Sequence, residues 1–217
     1  MKFLYDERAG CEQLKVVNET FLHLKARRNI KGDRVSFRNL KDGKDYLYEI
    51  IEFDRRSAIL ELVFTSSVPK VVYDFSIAWA VVDPKTIEKA LPFLNELGVG
   101  KLIFVYTKFS QANFKIDFER LEYICALSCE QSGRSTLMEF EIYNSLDEFL
   151  DVYQNVAAIN FNGKSLEKYS NELLLIGPEG GFAPEESLKL QNQYSLKTQN
   201  ILKSQTAIIS IASKFLA

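Results

Sequence analysis

In the stretch LLLIGPEGGFAPEE, Leu173 to Glu186, residue types and spacing bear directly on chemistry. Four apolar residues ending at Ile176 run into Gly177-Pro178-Glu179-Gly180-Gly181, and Ala183-Pro184-Glu185-Glu186 then has the form of a helix start. A glycine-rich turn between strand and helix lets backbone N–H groups approach a ligand, and the helix dipole ordinarily makes that ligand an anion. Glu179 reverses that expectation. A carboxylate inside the loop disfavours a polyphosphate and favours a neutral or cationic ligand. The spacing also lacks the G-x-G-x-x-G pattern and downstream acid of a dinucleotide site. The alternative is a tight turn whose glycines serve only backbone geometry.

A second candidate lies near the start of the chain. Between His23 and Lys44, HLKARRNIKGDRVSFRNLKDGK carries eight Lys or Arg against Asp33 and Asp42, although the whole chain has a net charge of −2. So dense a basic stretch on an acidic protein suits contact with a phosphate backbone, and a solvated strand-and-turn surface is the alternative. His23 is the sole histidine. It lies in this basic stretch and away from the glycine loop, which disfavours it as a general base.

These residues need a scaffold. The chain has 217 residues, 47% of them hydrophobic, enough for a substantial core. Residues 1 to 66 read as short strands and turns: Asp33 to Phe37, Asp45 to Phe53 and Ser57 to Phe64 are rich in β-branched or aromatic residues, with a hairpin at Asp42-Gly43. Ser66 to Lys70 reads as a linker. From residue 70 to 217, strands and helices alternate. FSIAWAV at 75–81, Leu102 to Tyr106, Val156 to Phe161 and Leu173 to Ile176 read as strands; Pro84 to Leu97, Phe118 to Ser132, Pro184 to Gln193 and Thr206 to Leu216 read as helices. Such alternation predicts an α/β domain with a mostly parallel sheet and a ligand at the carboxyl ends of its strands.

Cys11, Cys125 and Cys129 have no metal-binding spacing, so a reducing compartment and no metal are expected. Acids stand where a signal peptide would be apolar, and no run reaches the roughly 20 apolar residues of a membrane span. A cytosolic protein without membrane association is expected.

Four motifs occur in order through the second part of the chain: ELGV at 96–99, EQSGR at 130–134, IGPEGGF at 176–182 with Glu185 following, and ILKSQTA at 201–207. In this the sequence resembles the ribosomal small-subunit methyltransferase E family of the SPOUT superfamily. RRNIKGD at 27–33 loosely fits a segment of that family's PUA-like RNA-binding barrel. The resemblance implies an α/β knot fold, with a deep C-terminal trefoil knot and a mostly parallel sheet, preceded by a small PUA-like β-barrel. It also implies a homodimer that uses S-adenosylmethionine to methylate N3 of a uridine in 16S rRNA, on the small ribosomal subunit.

By the same resemblance the cofactor would lie against Ile176, Gly177, Pro178, Glu179, Gly180 and Gly181, with Ile201, Leu202, Thr206 and Ala207 from the tail motif. Arg134 is favoured for orienting the base or a phosphate, with Lys203 and Gln205 as further catalytic candidates. Lys25, Arg27, Arg28, Lys31 and Arg34 would bind RNA. The sequence departs from the family pattern at Lys203 and Gln205, where arginine and glutamate are usual, at Thr198 near a usual glycine, and at Phe109, which replaces an arginine. Those departures leave open a competing expectation: a non-catalytic RNA-binding or ribosome-assembly protein that keeps the fold.

Overall fold

The computed structural model describes residues 2–168 and 171–217. They form two compact units: residues up to Val71 together with Cys125–Leu137, and Val72–Ile124 together with Met138–Ala217.

The first unit is built on β1 (Leu4–Tyr5), β2 (Gln13–Val17), α1 (Asn18–Ala26), β3 (Arg34–Arg38), β4 (Lys44–Phe53) and β5 (Ser57–Ser67). The strands make one sheet in the order β1-β3-β4-β5-β2, antiparallel except where β1 joins β3. Alternate side chains turn inward, as the two-residue period of a strand requires: Leu14 and Val16, Val35 and Phe37, Tyr48 and Ile50, Ala58 and Leu60 are all buried. The predicted hairpin at Asp42-Gly43 joins β3 to β4. No local signal in the sequence announces α1, which covers this core with Phe21 and Leu24. Its N-terminus has no side-chain cap, so the usual start signal is missing. Lys25 therefore sits in a helix, and Arg27 at its C-terminal boundary.

Within this unit Glu130 is a buried carboxylate. Its Oε1 accepts from the Tyr5 N–H at 2.6 Å, and its Oε2 lies 3.8 Å from His23 Nδ1. Burial pushes the Glu130 carboxyl above the usual carboxylate range, and the Tyr5 N–H and the charges of His23 and Arg27 offset this only in part. A carboxyl whose folded pKa is raised lowers stability when ionised; the penalty is absent in acid and grows as pH rises through the raised value. Glu130→Gln keeps an acceptor for Tyr5. It is expected to raise the melting temperature at pH 7 and leave it unchanged near pH 4, a contrast that parallel thermal scans at the two pH values will check.

The second unit contains β6 (Ser76–Ala80), α2 (Pro84–Leu97), β7 (Lys101–Val105), the first half of α3 (Phe118–Ser132), β8 (Glu139–Tyr143), α4 (Leu146–Val152), β9 (Val156–Ser165), β10 (Leu173–Ile176), α5 (Pro184–Lys189), β11 (Asn192–Ser195) and α6 (Ser204–Leu216). Six strands pair in parallel in the order β11-β9-β10-β6-β7-β8, the mostly parallel α/β sheet that the alternation predicted. The central strands are buried on both faces, so they read as apolar runs: Ile77 to Ala80 and Leu102 to Val105 are fully covered. α2 shows why its boundaries were legible. The Asp83 side chain accepts from Lys85 N–H at 2.9 Å, Pro84 opens the first turn, and Gly98 ends the helix at φ 98°.

β9 and β11 approach closely at Gly163. A Cβ added there would lie 2.5 Å from the Tyr194 carbonyl carbon, inside van der Waals contact with backbone that cannot swing aside. Gly163→Ala is expected to push β11 outward and destabilise the protein by about 2–3 kcal/mol, the upper part of the range for overpacking. Chemical denaturation of the two proteins measures this.

Among the described residues, no helix is long and apolar enough to cross a membrane, and no three His, Cys, Asp or Glu side chains gather as a metal would require.

Candidate active site

The glycine turn leaves the carboxyl end of β10, where Ile176 stands in register with Trp79 of β6 and Ile159 of β9. Gly181 N–H donates to the Pro178 carbonyl at 2.9 Å and Gly181 takes φ 70°, which closes a tight turn. The turn delivers the chain to α5, whose first free N–H groups need acceptors. Glu186 supplies one: its Oε2 accepts from Ala183 N–H at 3.0 Å. Its Oε1 accepts from Lys108 N–H at 2.8 Å, which ties the segment after β7 to the same helix start. Above that bond Lys108 also pairs with Glu185, and this surface contact holds the Glu185 carboxyl below its usual range.

The tail motif returns to this turn. Ser204 opens α6, and its Oγ donates to the Gly177 carbonyl at 2.6 Å while accepting from the Trp79 indole N–H at 2.7 Å. All three groups are buried, so one hydroxyl links β6, the glycine turn and the tail.

Between turn and tail lies a cavity of about 90 Å³. That is several times the roughly 10–15 Å³ one water needs, so there is space for part of an organic ligand. Ile176, Gly177, Pro178, Glu179 and Gly181 line it from the turn; Leu202 and Ala207 line it from the tail. Seven of the ten residues expected at a cofactor site are thereby brought together. Gly180, Ile201 and Thr206 are not on its wall: Ile201 is 83% exposed, Thr206 faces solvent, and an added Cβ on Gly180 would meet the Phe109 ring at 3.3 Å. Gly180 is thus crowded by a neighbouring side chain.

The remaining candidates are placed as follows. Lys203 is exposed at the N-cap of α6 and Gln205 half-buried in its first turn, on either side of Ser204 and off the cavity wall. Arg134 belongs to the first unit, where it is buried and its Nε donates to the Thr136 carbonyl at 2.8 Å. Lys25, Arg27, Arg28 and Lys31 are exposed in that unit; Arg34 is also exposed and pairs with Glu49 at 3.1 Å.

Sequence reasoning missed part of the wall. Ile159 and Asn160 of β9 contribute, as do Ser195, Leu196 and Thr198 around the end of β11, with Ser204 and Phe182. Ser204 had a visible signal, a lone hydroxyl just before an apolar helix. The segment 195–198 had none. No lysine, arginine or histidine stands among the described wall residues, and Glu179 adds a carboxylate. This chemistry repels phosphates and accommodates a flat apolar group joined to a positive charge.

Residues 69–216 match the family model described as an RNA methyltransferase domain, a span that contains the whole cavity wall. The chain is 39% identical to ribosomal RNA small subunit methyltransferase E of Helicobacter pylori strain J99 over 98% of both proteins, and 38% identical to that of strain 26695 over the same shares. This chain belongs to the ribosomal RNA small subunit methyltransferase E family. Its fold is shared with the crystal structure of the ribosomal RNA small subunit methyltransferase E from Neisseria gonorrhoeae bound to S-adenosylmethionine, with a TM-score of 0.76 at 18% identity, covering 99% of this chain and 96% of that one. The glycine turn and the tail segment are, in this member, two of the walls of a single cavity.

Proposed function

We propose that this protein transfers a methyl group from S-adenosylmethionine to N3 of a uridine in 16S rRNA, on the small ribosomal subunit: the N3–C bond forms as the S–CH3 bond breaks, S-adenosylhomocysteine leaves, and the N3 proton is given up to solvent. The observation that carries the reading is the cavity that Ser204 closes between the glycine turn and the tail, with Glu179 and no cationic side chain among its described wall residues. A ligand with an adenine, a sulfonium and an ammonium fits that set of donors and walls; a polyphosphate does not. When bound, S-adenosylmethionine supplies an electrophilic methyl carbon.

The chain's own residues then have distinct work. Ile176, Leu202 and Ala207 offer apolar walls to a heterocycle, while the backbone at Gly177 and Gly181 can come close to it. Glu179 places negative charge at the rim, opposite a cationic ligand. Gly180, Ile201 and Thr206 act through these neighbours. Lys203 and Gln205, flanking Ser204, serve to orient RNA or stabilise charge on the base. Lysine at 203 keeps a positive charge without the two-pronged geometry of arginine, and Gln205 removes the carboxylate that such an arginine could pair with.

N3 of a paired uridine is hidden, so the target must be unpaired or turned out of its helix. Recognition then depends on RNA shape and phosphate contacts, work suited to Lys25, Arg27, Arg28, Lys31 and Arg34 on the first unit, read as a PUA-like barrel. The same reading implies a homodimer in the cytoplasm and a tail threaded as a trefoil knot; the grip of Ser204 on Gly177 supports a tail drawn in against the turn.

The test is transfer of labelled methyl to small subunits that lack their native modifications, followed by identification of the nucleoside. N3-methyluridine is expected. Another methylated nucleoside would overturn the target. No transfer, together with no rise in melting temperature under S-adenosylmethionine at about 100 times the dissociation constant, where roughly 2.7 kcal/mol should be gained, would favour the non-catalytic RNA-binding reading.

A further inference from the structure

A second cavity, of about 190 Å³, adjoins the first across the glycine turn, with Pro178 and Glu179 on the wall of both. Its other walls come from the carboxyl end of β6 at Val82 and Asp83, and from Phe109 and Phe114 in the segment between β7 and α3. Phe109 is 49% exposed, so one face of its ring is open to a ligand, and it stands against Gly180.

We infer that this second cavity receives the target base, with Phe109 as the aromatic face on which an extruded pyrimidine stacks. The inference rests on the methyltransferase reading and extends it. Three features select a base over the phosphate backbone. The wall sets aromatic and aliphatic side chains beside polar ones, it carries the carboxylates of Asp83 and Glu179, and it holds no lysine or arginine among its described residues. Carboxylates accept hydrogen bonds and donate none once ionised. Uridine presents an N3–H donor where cytidine presents a bare N3 lone pair, so an acceptor facing N3 favours the first, although the N4 amino group of cytidine can donate elsewhere on the edge. Gln111, also on the wall, adds an amide able to donate to a uracil carbonyl. Pro178 and Glu179 line both cavities, so a base seated there lies next to a ligand held in the first.

A phenyl ring offers a flat face that bases stack on. Stacking on an aromatic side chain is sequence-tolerant, so the ring supplies hold while the polar wall supplies choice.

The test compares Phe109→Ala, Phe109→Leu and Phe109→Tyr for three readouts: affinity for S-adenosylmethionine, affinity for a short single-stranded uridine-containing fragment of 16S rRNA without cofactor, and kcat/KM for methyl transfer to small subunits. Leucine retains apolar bulk and loses the flat face; tyrosine retains both. We expect alanine and leucine to lower RNA-fragment affinity and kcat/KM by about 10- to 100-fold, with tyrosine within a few-fold of the parent and cofactor affinity unchanged in all three. Equal activity of the leucine and tyrosine variants would overturn the stacking role. Loss of cofactor affinity in step with transfer would overturn it too, by showing that Phe109 only props Gly180. Failure of the parent protein to bind S-adenosylmethionine would instead sink the methyltransferase reading, and is distinguished by the first readout alone.

Discussion

A Ser204→Ala protein is expected to lose about 2–5 kcal/mol of stability, and with it most affinity for the methyl donor. The hydroxyl holds two buried groups at once, the Trp79 indole N–H and the Gly177 carbonyl. Trp79 is fully buried on a central strand, and Ser204 Oγ is the acceptor its indole N–H uses. A buried donor or acceptor left unsatisfied costs about 1–3 kcal/mol, and alanine strands one of each. For a chain of this size the melting temperature should fall by roughly 5–15 °C. Calorimetric titration with S-adenosylmethionine should show affinity reduced at least about ten-fold, because the tail wall is no longer fixed to the turn. Ser204→Thr keeps the hydroxyl and is expected to recover much of both losses. An alanine variant as stable as the parent would mean that the turn and the tail are held by other contacts.

Glu186→Gln is expected to damage the site from the opposite side. The carboxylate accepts from two backbone N–H groups, Ala183 at 3.0 Å and Lys108 at 2.8 Å. An amide has one oxygen, so its NH2 must face one of those N–H donors. Hydrogen bonds to charged groups contribute about 1.5–3 kcal/mol, and a loss of about 2–3 kcal/mol is expected in denaturant titrations. The larger effect should be on kcat/KM, since the freed segment carries Phe109. Glu185→Gln is the control. That carboxylate is engaged by Lys108 only at the surface, where ion pairs contribute little, and the melting temperature should not change.

Much of the second unit was legible because each signal was local. α2 announces itself with Asp83, Pro84, an apolar stripe through Ile87, Leu91 and Leu94, and Gly98; β6 and β10 do so as apolar runs beside punctuation. Other elements were missed for physical reasons. β8, EFEIY, is short, largely half-buried and mixed in polarity, so neither period stands out. α4 did carry a readable start, Ser145 and Glu148 in capping-box spacing: Ser145 Oγ accepts from Glu148 N–H at 3.1 Å. α5 ends at Lys189, short of the expected Gln193, because Asn192–Ser195 is claimed by the sheet as β11. The helix at 18–26 lacks a capping side chain and is set by burial of Phe21 and Leu24 under a sheet that no local window contains.

The cavity divides the same way. Its two principal walls were readable as motifs, but their junction was not, because Ser204 and Gly177 are 27 residues apart and the bond between them depends on the fold. Ser195, Leu196 and Thr198 join the wall through the parallel pairing of β11 with β9.

Hydrogen exchange followed by mass spectrometry, with and without saturating S-adenosylmethionine, bears most directly on the idea that turn and tail form one methyl-donor pocket. Peptides covering Ile176–Phe182 and Leu202–Ala207 should gain protection together and over the same range of ligand concentration. Protection of only one of them, or of neither, would contradict the shared pocket.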